Sequence, residues 1–178
     1  MNLKLAMNKL LLTAFAPWRA QQSANSSDTL LQLIQKTLPS LYFVRGLPVN
    51  LPVARTMTIA KLQQVQPQVL VLCGMAETRS KLSVEVSAVV GDRRLSTSID
   101  LETLVAGLAA TEISQDAGRF VCNSLYYAML SYIQTQSLAC RCLFVHVPIL
   151  AEQNRDLILA DFQRLLQRLS SPVAEPMG

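Results

Sequence analysis

The chain has 178 residues, of which 51% are hydrophobic, and a formal net charge of +4 at pH 7. This length and composition predict a single domain, residues 1–178, that buries a core of its own. The sequence contains no run of about 18 uncharged apolar residues, which excludes a membrane span. The 16 basic residues are scattered along the chain, which argues against a nucleic-acid-binding protein. Four cysteines without a regular spacing favour a reducing compartment, so we expect a cytoplasmic protein.

Helix-like and strand-like segments alternate along the chain. In the first half of the chain, the patterns predict a strand at Leu10–Phe15, a helix capped by Ser27 or Asp28 and ending at Leu38, a strand from Tyr42 to about Val44, and a helix at Ala54–Gln66. Two strands follow at 68–74 and 81–89, then a helix near 100–109 and an extended piece at 111–114. The last three elements are a helix from Cys122 to about Gln134, a strand at Cys140–Val147 and a helix at Asp156–Leu169. This alternation predicts an α/β fold, a three-layer α/β/α sandwich around a mostly parallel, mixed sheet.

The segment 81–89 alternates apolar and polar residues with a period of two. Its apolar face comprises Leu82, Val84, Val86 and Ala88, and its other face comprises Ser83, Glu85 and Ser87. The pattern therefore predicts one strand with Glu85 in its middle, a carboxylate with small side chains around it.

Cys122 follows an irregular loop containing Gly118 and opens a helical stretch. The free N–H groups and the dipole at a helix N-terminus favour a thiolate. His146, the only histidine, ends an apolar strand. A cysteine peptidase needs a thiolate, an imidazole, a group that orients the imidazole, and backbone donors for the oxyanion. Cys122, His146 and Glu85 are the candidates for the first three, and the loop amides from Gly118 to Cys122 for the fourth.

Each of these side chains also has a purely structural interpretation. A cysteine is usually a small core residue, as we expect for Cys73 inside its apolar strand. A single histidine at a strand end, such as His146, is commonly a hydrogen-bonded structural residue, and Glu85 is compatible with an edge charge that discourages aggregation. Composition and spacing leave both interpretations open.

A metal site was the other chemical alternative, because Cys140, Cys142 and His146 share one face of a predicted strand. Four residues of strand span about 13 Å, whereas zinc ligands lie about 2.0–2.3 Å from the ion. Cys142 and His146 therefore cannot both reach one zinc ion, and we predict neither a metal site nor a cofactor.

Three motifs around these residues resemble pyroglutamyl peptidase I, the pyrrolidone-carboxylate peptidase family. They are Ser114-Gln-Asp-Ala-Gly-Arg-Phe-Val-Cys-Asn123, Phe144-Val-His-Val-Pro148, and Gly74-Met-Ala-Glu-Thr-Arg79 followed by Glu85. A fourth segment, Thr13-Ala-Phe-Ala-Pro-Trp18, is similar to the opening motif of the family.

The resemblance implies that Cys122 is the nucleophile, His146 the general base and acid, and Glu85 the orienting carboxylate. It also implies the activity, which is hydrolysis of the bond after an N-terminal pyroglutamyl residue of a peptide substrate. Phe15 and Trp18 match the aromatic pair that holds the pyrrolidone ring in the family. Family members tend to associate, so a homo-oligomer belongs to what the resemblance implies.

The departures from the family pattern concern substrate recognition. Met75 stands where the family has a glutamine, and a thioether cannot replace the hydrogen bonds of an amide. The interval between Glu85 and Cys122 is shorter than usual, and Val86-Ser-Ala-Val-Val90 replaces the family's Arg-x-Ala-x-Asn. We therefore expect altered specificity at a substrate site that includes Met75 and Gly118. The alternative is a non-catalytic homologue that binds a peptide or a partner protein.

The resemblance also bears on the start of the chain. Met7 aligns with the usual first residue of the family, so residues 1–6 are interpreted as an N-terminal extension or a misassigned start. Residues 170–178, which include two prolines, are predicted to form a flexible tail.

Overall fold

The computed structural model describes residues 7–19, 22 and 24–171, so the predicted extension and residues 172–178 of the predicted tail lie outside the described part of the chain. The strands are β1 (Leu10–Phe15), β2 (Tyr42–Leu47), β3 (Val69–Met75), β4 (Leu82–Glu85), β5 (Ser87–Val90), β6 (Arg93–Ser96), β7 (Thr111–Ser114) and β8 (Arg141–Val147). The helices are α1 (Ser26–Thr37), α2 (Leu51–Val65), α3 (Leu101–Val105), α4 (Val121–Thr135) and α5 (Glu152–Ser170). Within the described residues, no helix is long and apolar enough to cross a membrane.

The main sheet of the described chain has six strands in the order β2-β1-β3-β8-β4-β7. The first four strands run parallel, while β4 is antiparallel to β8 and parallel to β7. Strands β1 and β3 are buried on both faces, as expected for parallel strands that helices cover on each side. Helices α1, α3 and α5 pack on one face, and α2 and α4 pack on the other. The predicted α/β sandwich around a mostly parallel, mixed sheet is confirmed.

The prediction of one strand across 81–89 is wrong, because the chain changes sheets at Val86. Strand β4 pairs with β8 and β7, whereas β5 pairs with β6 in a separate two-stranded hairpin. Val84 packs into the core on the face covered by α1, α3 and α5, whereas Ala88 packs into the core on the face covered by α2 and α4. The residues on both sides of the break, Leu82–Glu85 and Ser87–Ala88, are buried. The alternation of apolar and small polar residues therefore continues through Val86 without a signal of the break. The turn of the hairpin is Gly91, whose φ of 59° favours glycine.

Several element ends also differ from the predictions. The cap of α1 is Asn25, not Ser27 or Asp28, since the Asn25 Oδ1 accepts a 3.0 Å hydrogen bond from the Ser27 amide. The Asp28 carboxylate instead pairs with Arg45 at 2.9 Å. Helix α5 begins at Glu152, ahead of the predicted Asp156, and α3 ends at Val105, before Gly107 with its φ of 71°.

Candidate active site

Cys122 is the second residue of α4, and its sulfur lies against Gly74 at the end of β3. A Cβ atom placed on Gly74 would lie 2.7 Å from Cys122 Sγ and 2.9 Å from Phe144 Cζ. Gly74 is in register with His146 on the neighbouring strand. Paired residues of adjacent strands point to the same face and lie about 4.8 Å apart. The sulfur therefore occupies the space that a side chain at position 74 would take, directly beside His146.

Glu85 and His146 form a buried pair between the antiparallel strands β4 and β8. His146 Nδ1 lies 2.7 Å from Glu85 Oε1, and Glu85 has no exposed surface. Because a carboxylate can only accept, the imidazole proton resides on Nδ1, which leaves Nε2 as the free ring nitrogen. The imidazole also packs on Phe144, with 4.7 Å between ring centroids. These contacts fix both the tautomer and the orientation of the ring.

Arg79 contacts the same oxygen of the Glu85 carboxylate as His146 does. Its Nη1 donates to Glu85 Oε1 at 2.7 Å, and its Nη2 donates to the Asp116 carbonyl at 2.7 Å. The guanidinium thus compensates the buried negative charge and ties it to the loop before Cys122. The sequence pattern assigns Arg79 no role, and its one signal there is that Arg79 ends the motif preceding Glu85.

The hydrogen bonds of the described residues join Glu85 to His146 but do not join His146 to Cys122. The structure therefore brings the three predicted residues to one edge of the sheet and leaves the thiol without a bond to the imidazole. The pKa of the Cys122 thiol is raised to about 12 mainly by burial; the residue's own backbone N–H lowers it, and the charge of Glu85 raises it by a smaller amount. Desolvation thus outweighs the helix N-terminus, which does not by itself give a thiolate in the free protein.

The raised pKa predicts a slow reaction of Cys122 with iodoacetamide at neutral pH. Below its pKa a thiol is protonated and weakly nucleophilic, so the alkylation rate should increase with pH towards about 12. Mass spectrometry of labelled peptides would follow Cys122 separately from the half-buried Cys140, and a Cys122→Ser protein provides the blank. A rate that is already at its plateau at pH 7 would contradict this prediction.

Phe15, Trp18 and Met75 line one cavity together with Cys122. With Asn25, Val49 and Val121 they line a cavity of about 20 Å³, which has room for about one water molecule but not for a five-membered ring. Trp18 is 41% exposed and stands edge-on to Phe120, with 6.5 Å between the ring centroids. A ring-sized ligand therefore requires the cavity to widen.

Gly118 does not line this small aromatic cavity. It lines a separate cavity of about 690 Å³ on the other side of the start of α4. Its amide donates to Asp116 Oδ1 at 2.9 Å, so that N–H is not free for an oxyanion. Of the other predicted loop amides, the N–H of Cys122 belongs to the same residue as the sulfur and lies in the first turn of α4.

The remaining features of the described chain lie away from this edge. A cavity of about 760 Å³ opens at the other end of the sheet, beside Lys9, Leu41 and Gln163, and none of the candidate residues lines it. No group of three or more His, Cys, Asp or Glu residues that would hold a metal ion occurs among the residues the structure describes.

Comparison with known proteins gives a consistent result. The family model for pyroglutamyl peptidase matches residues 102–161. The chain is 27% identical to a pyrrolidone-carboxylate peptidase of Erwinia tasmaniensis, with 83% of this chain and 81% of the relative covered. It is 28% identical to pyrrolidone-carboxylate peptidase 2 of Caldanaerobacter subterraneus, over 82% and 83%.

Solved structures give the same result for the fold. The chain is similar to pyroglutamyl peptidase I of Bacillus amyloliquefaciens, with a TM-score of 0.76, 20% identity, and coverage of 92% of this chain and 96% of that one. The pyrrolidone carboxyl peptidase of Thermococcus litoralis has a TM-score of 0.77 at 20% identity, over 92% and 93%.

Proposed function

We propose that the chain is a divergent member of the pyroglutamyl peptidase I family and a cysteine exopeptidase that removes an N-terminal pyroglutamyl residue from peptides. The observation that carries the proposal is the 2.7 Å pair of His146 and Glu85 beside the Cys122 sulfur. An oriented imidazole next to a thiol is the arrangement that acyl transfer through a thioester requires.

In the proposed reaction, His146 Nε2 takes the proton of the Cys122 thiol while the sulfur attacks the pyroglutamyl carbonyl carbon. The raised pKa of the thiol makes this base necessary, since the free sulfur is protonated at neutral pH. Glu85 stabilises the imidazolium that forms. The imidazolium then protonates the leaving amine, the C–N bond breaks, and a thioester remains. Water activated by His146 hydrolyses that thioester and releases pyroglutamate.

The oxyanion of the tetrahedral intermediate needs donors at the start of α4. The Cys122 N–H lies in the first turn, where helix amides have no intrahelical acceptor and the dipole favours negative charge. The Gly118 amide takes no part, because Asp116 already accepts its proton.

The aromatic cavity would recognise the lactam by shape more than by hydrogen bonds. Phe15 and Trp18 suit a flat, neutral ring, but Met75 offers only a weak acceptor. The Asn25 side chain is already occupied, since it accepts from Ser27 and donates to the Ala16 carbonyl at 3.3 Å. Specificity for pyroglutamate over other five-membered acyl rings is therefore proposed to be low.

A pair of coumarin amides tests both the activity and this specificity. Pyroglutamyl-aminomethylcoumarin and cyclopentanecarbonyl-aminomethylcoumarin have acyl rings of similar shape, but only the first has a lactam. We expect turnover of both, abolished by Cys122→Ala, and a Met75→Gln protein should raise the kcat/KM preference for the lactam by about 10-fold, the size of one good hydrogen bond. Absence of thiol-dependent turnover of either amide would refute the proposal.

Two observations favour the second candidate, a non-catalytic homologue that binds a peptide or partner protein. They are the raised pKa of the Cys122 thiol and the closed aromatic cavity of about 20 Å³. Calorimetry with a pyroglutamyl peptide separates the two candidates. A peptide-binding homologue should bind the peptide without turnover, and wild type and Cys122→Ala should bind it equally well.

A further inference from the structure

The cavity of about 690 Å³, hereafter the second cavity, lies between the β5–β6 hairpin, the loop 115–119 and the first turn of α4. The first turn of α4 separates it from the aromatic cavity. Val121 and Cys122 line the aromatic cavity, whereas Asn123 and Ser124 line the second cavity. A substrate with its acyl ring in the aromatic cavity therefore has its scissile bond at Cys122 and the second cavity beyond it.

The hairpin holds Arg94 close to the catalytic edge. Arg94 pairs with Val89 across the hairpin. Val89 is fixed by Asn123, whose side chain accepts from the Val89 amide at 2.9 Å and donates to its carbonyl at 2.7 Å. The Arg94 Nη1 donates to Ser87 Oγ at 2.5 Å, and Ser87 is buried just after Glu85 in the chain. These contacts connect Arg94 to the neighbours of both Cys122 and Glu85.

The charges that line the second cavity are unbalanced. Arg94 and Arg119 contribute two guanidinium groups, and Asp116 contributes the carboxylate. Asp116 accepts from the Gly118 amide, and among the described residues neither arginine has an acidic partner within ion-pair distance. A guanidinium presents a planar fork of donors that fits a carboxylate. The second cavity thus has the chemistry to bind an anion.

We propose that the second cavity receives the leaving group of the substrate and that Arg94 and Arg119 bind a carboxylate on it. This inference rests on the proposed function. It names the substrate class as short pyroglutamyl peptides with a negative charge close behind the scissile bond. The carboxylate is either the free C-terminus of a dipeptide or the side chain of an acidic residue in the second position.

Three peptides distinguish these sources, namely pyroglutamyl-alanine, pyroglutamyl-alaninamide and the α-amide of pyroglutamyl-aspartate. The first carries a terminal carboxylate, the second none, and the third only a side-chain carboxylate. We expect kcat/KM for at least one charged peptide to exceed that of the neutral peptide by about 10-fold, as for one charge-assisted hydrogen bond. The charged peptide with the higher value identifies the source.

The variants Arg94→Ala and Arg119→Ala should each reduce this charged-to-neutral ratio towards one. A ratio measured within one variant is insensitive to partial loss of folded protein. The matched control is Arg93→Ala, because strand side chains alternate and Arg93 lies on the opposite face of the same hairpin, outside the second cavity. Arg93→Ala should keep the wild-type ratio.

The outcomes separate this inference from the proposed function. Turnover of pyroglutamyl-aminomethylcoumarin with equal kcat/KM for charged and neutral peptides overturns the leaving-group site alone. Equal reductions of the ratio by Arg93→Ala and Arg94→Ala also overturn it, because they indicate a general charge effect. Absence of all turnover overturns the proposed function and this inference together.

Discussion

Replacement of Cys122 by alanine is expected to reduce kcat for pyroglutamyl-aminomethylcoumarin by about 10⁴- to 10⁶-fold. The sulfur that lies on Gly74 beside His146 is the proposed nucleophile, whereas the side chain of the neighbouring Cys73 packs into the core on the opposite face of the sheet. His146→Ala should cost a similar factor, because without the imidazole the thiol of raised pKa keeps its proton.

The double variant gives the sharper measurement. Since nucleophile and base act as a unit, Cys122→Ala combined with His146→Ala should lose no more activity than either change alone. Cys140→Ala, which removes a half-buried thiol at the other end of β8, is the matched control and should retain wild-type turnover. Independent losses that multiply in the double variant would contradict the proposed roles.

Glu85→Gln is expected to reduce kcat/KM by about 10³- to 10⁴-fold, as loss of an orienting carboxylate does in other triads. Glu85 Oε1 accepts from both Arg79 and His146, while Oε2 is buried without a partner. A glutamine can keep the first two contacts only by placing its NH₂ group where no acceptor is available. It also removes the charge that stabilises the imidazolium.

The same substitution should lower the free energy of unfolding by about 1–3 kcal/mol, because a buried donor is left unsatisfied. Urea denaturation measures the change in the free energy of unfolding, and kinetics of the folded fraction measure the change in kcat/KM. Glu102→Gln, an exposed carboxylate in α3, is the matched control for both. A Glu85→Gln protein that keeps more than a tenth of wild-type kcat/KM would contradict the orienting role.

The overall architecture could be predicted from the sequence because its signals are local. Buried parallel strands such as β3 are continuous apolar runs, and breaks such as Pro67 separate them from the preceding helices. The placement of Cys122 at a helix start followed from the irregular loop before it. The order of motifs along the chain then indicated which histidine and carboxylate belong with that cysteine.

The remaining features depend on contacts between segments that are distant in the chain. The break at Val86 could not be predicted, because the alternation continues through it and the partners of β4 and β5 decide where each strand ends. The edge-on contact of Trp18 with Phe120 joins segments that are distant in the chain, and the occupied amide of Gly118 depends on the rotamer of Asp116. A local pattern carries no information about such pairings.

Gly74 lacks the side chain that would collide with both Cys122 Sγ and the Phe144 ring. In evolutionary terms, a side chain at this position and a functional Cys122 thiol exclude each other. A descendant that acquires any side chain here has to displace the sulfur or the ring, so the residue can drift only after the thiol has stopped being needed. Among relatives of this chain, the amino acid at the position of Gly74 should therefore distinguish active peptidases from non-catalytic homologues before any assay is done.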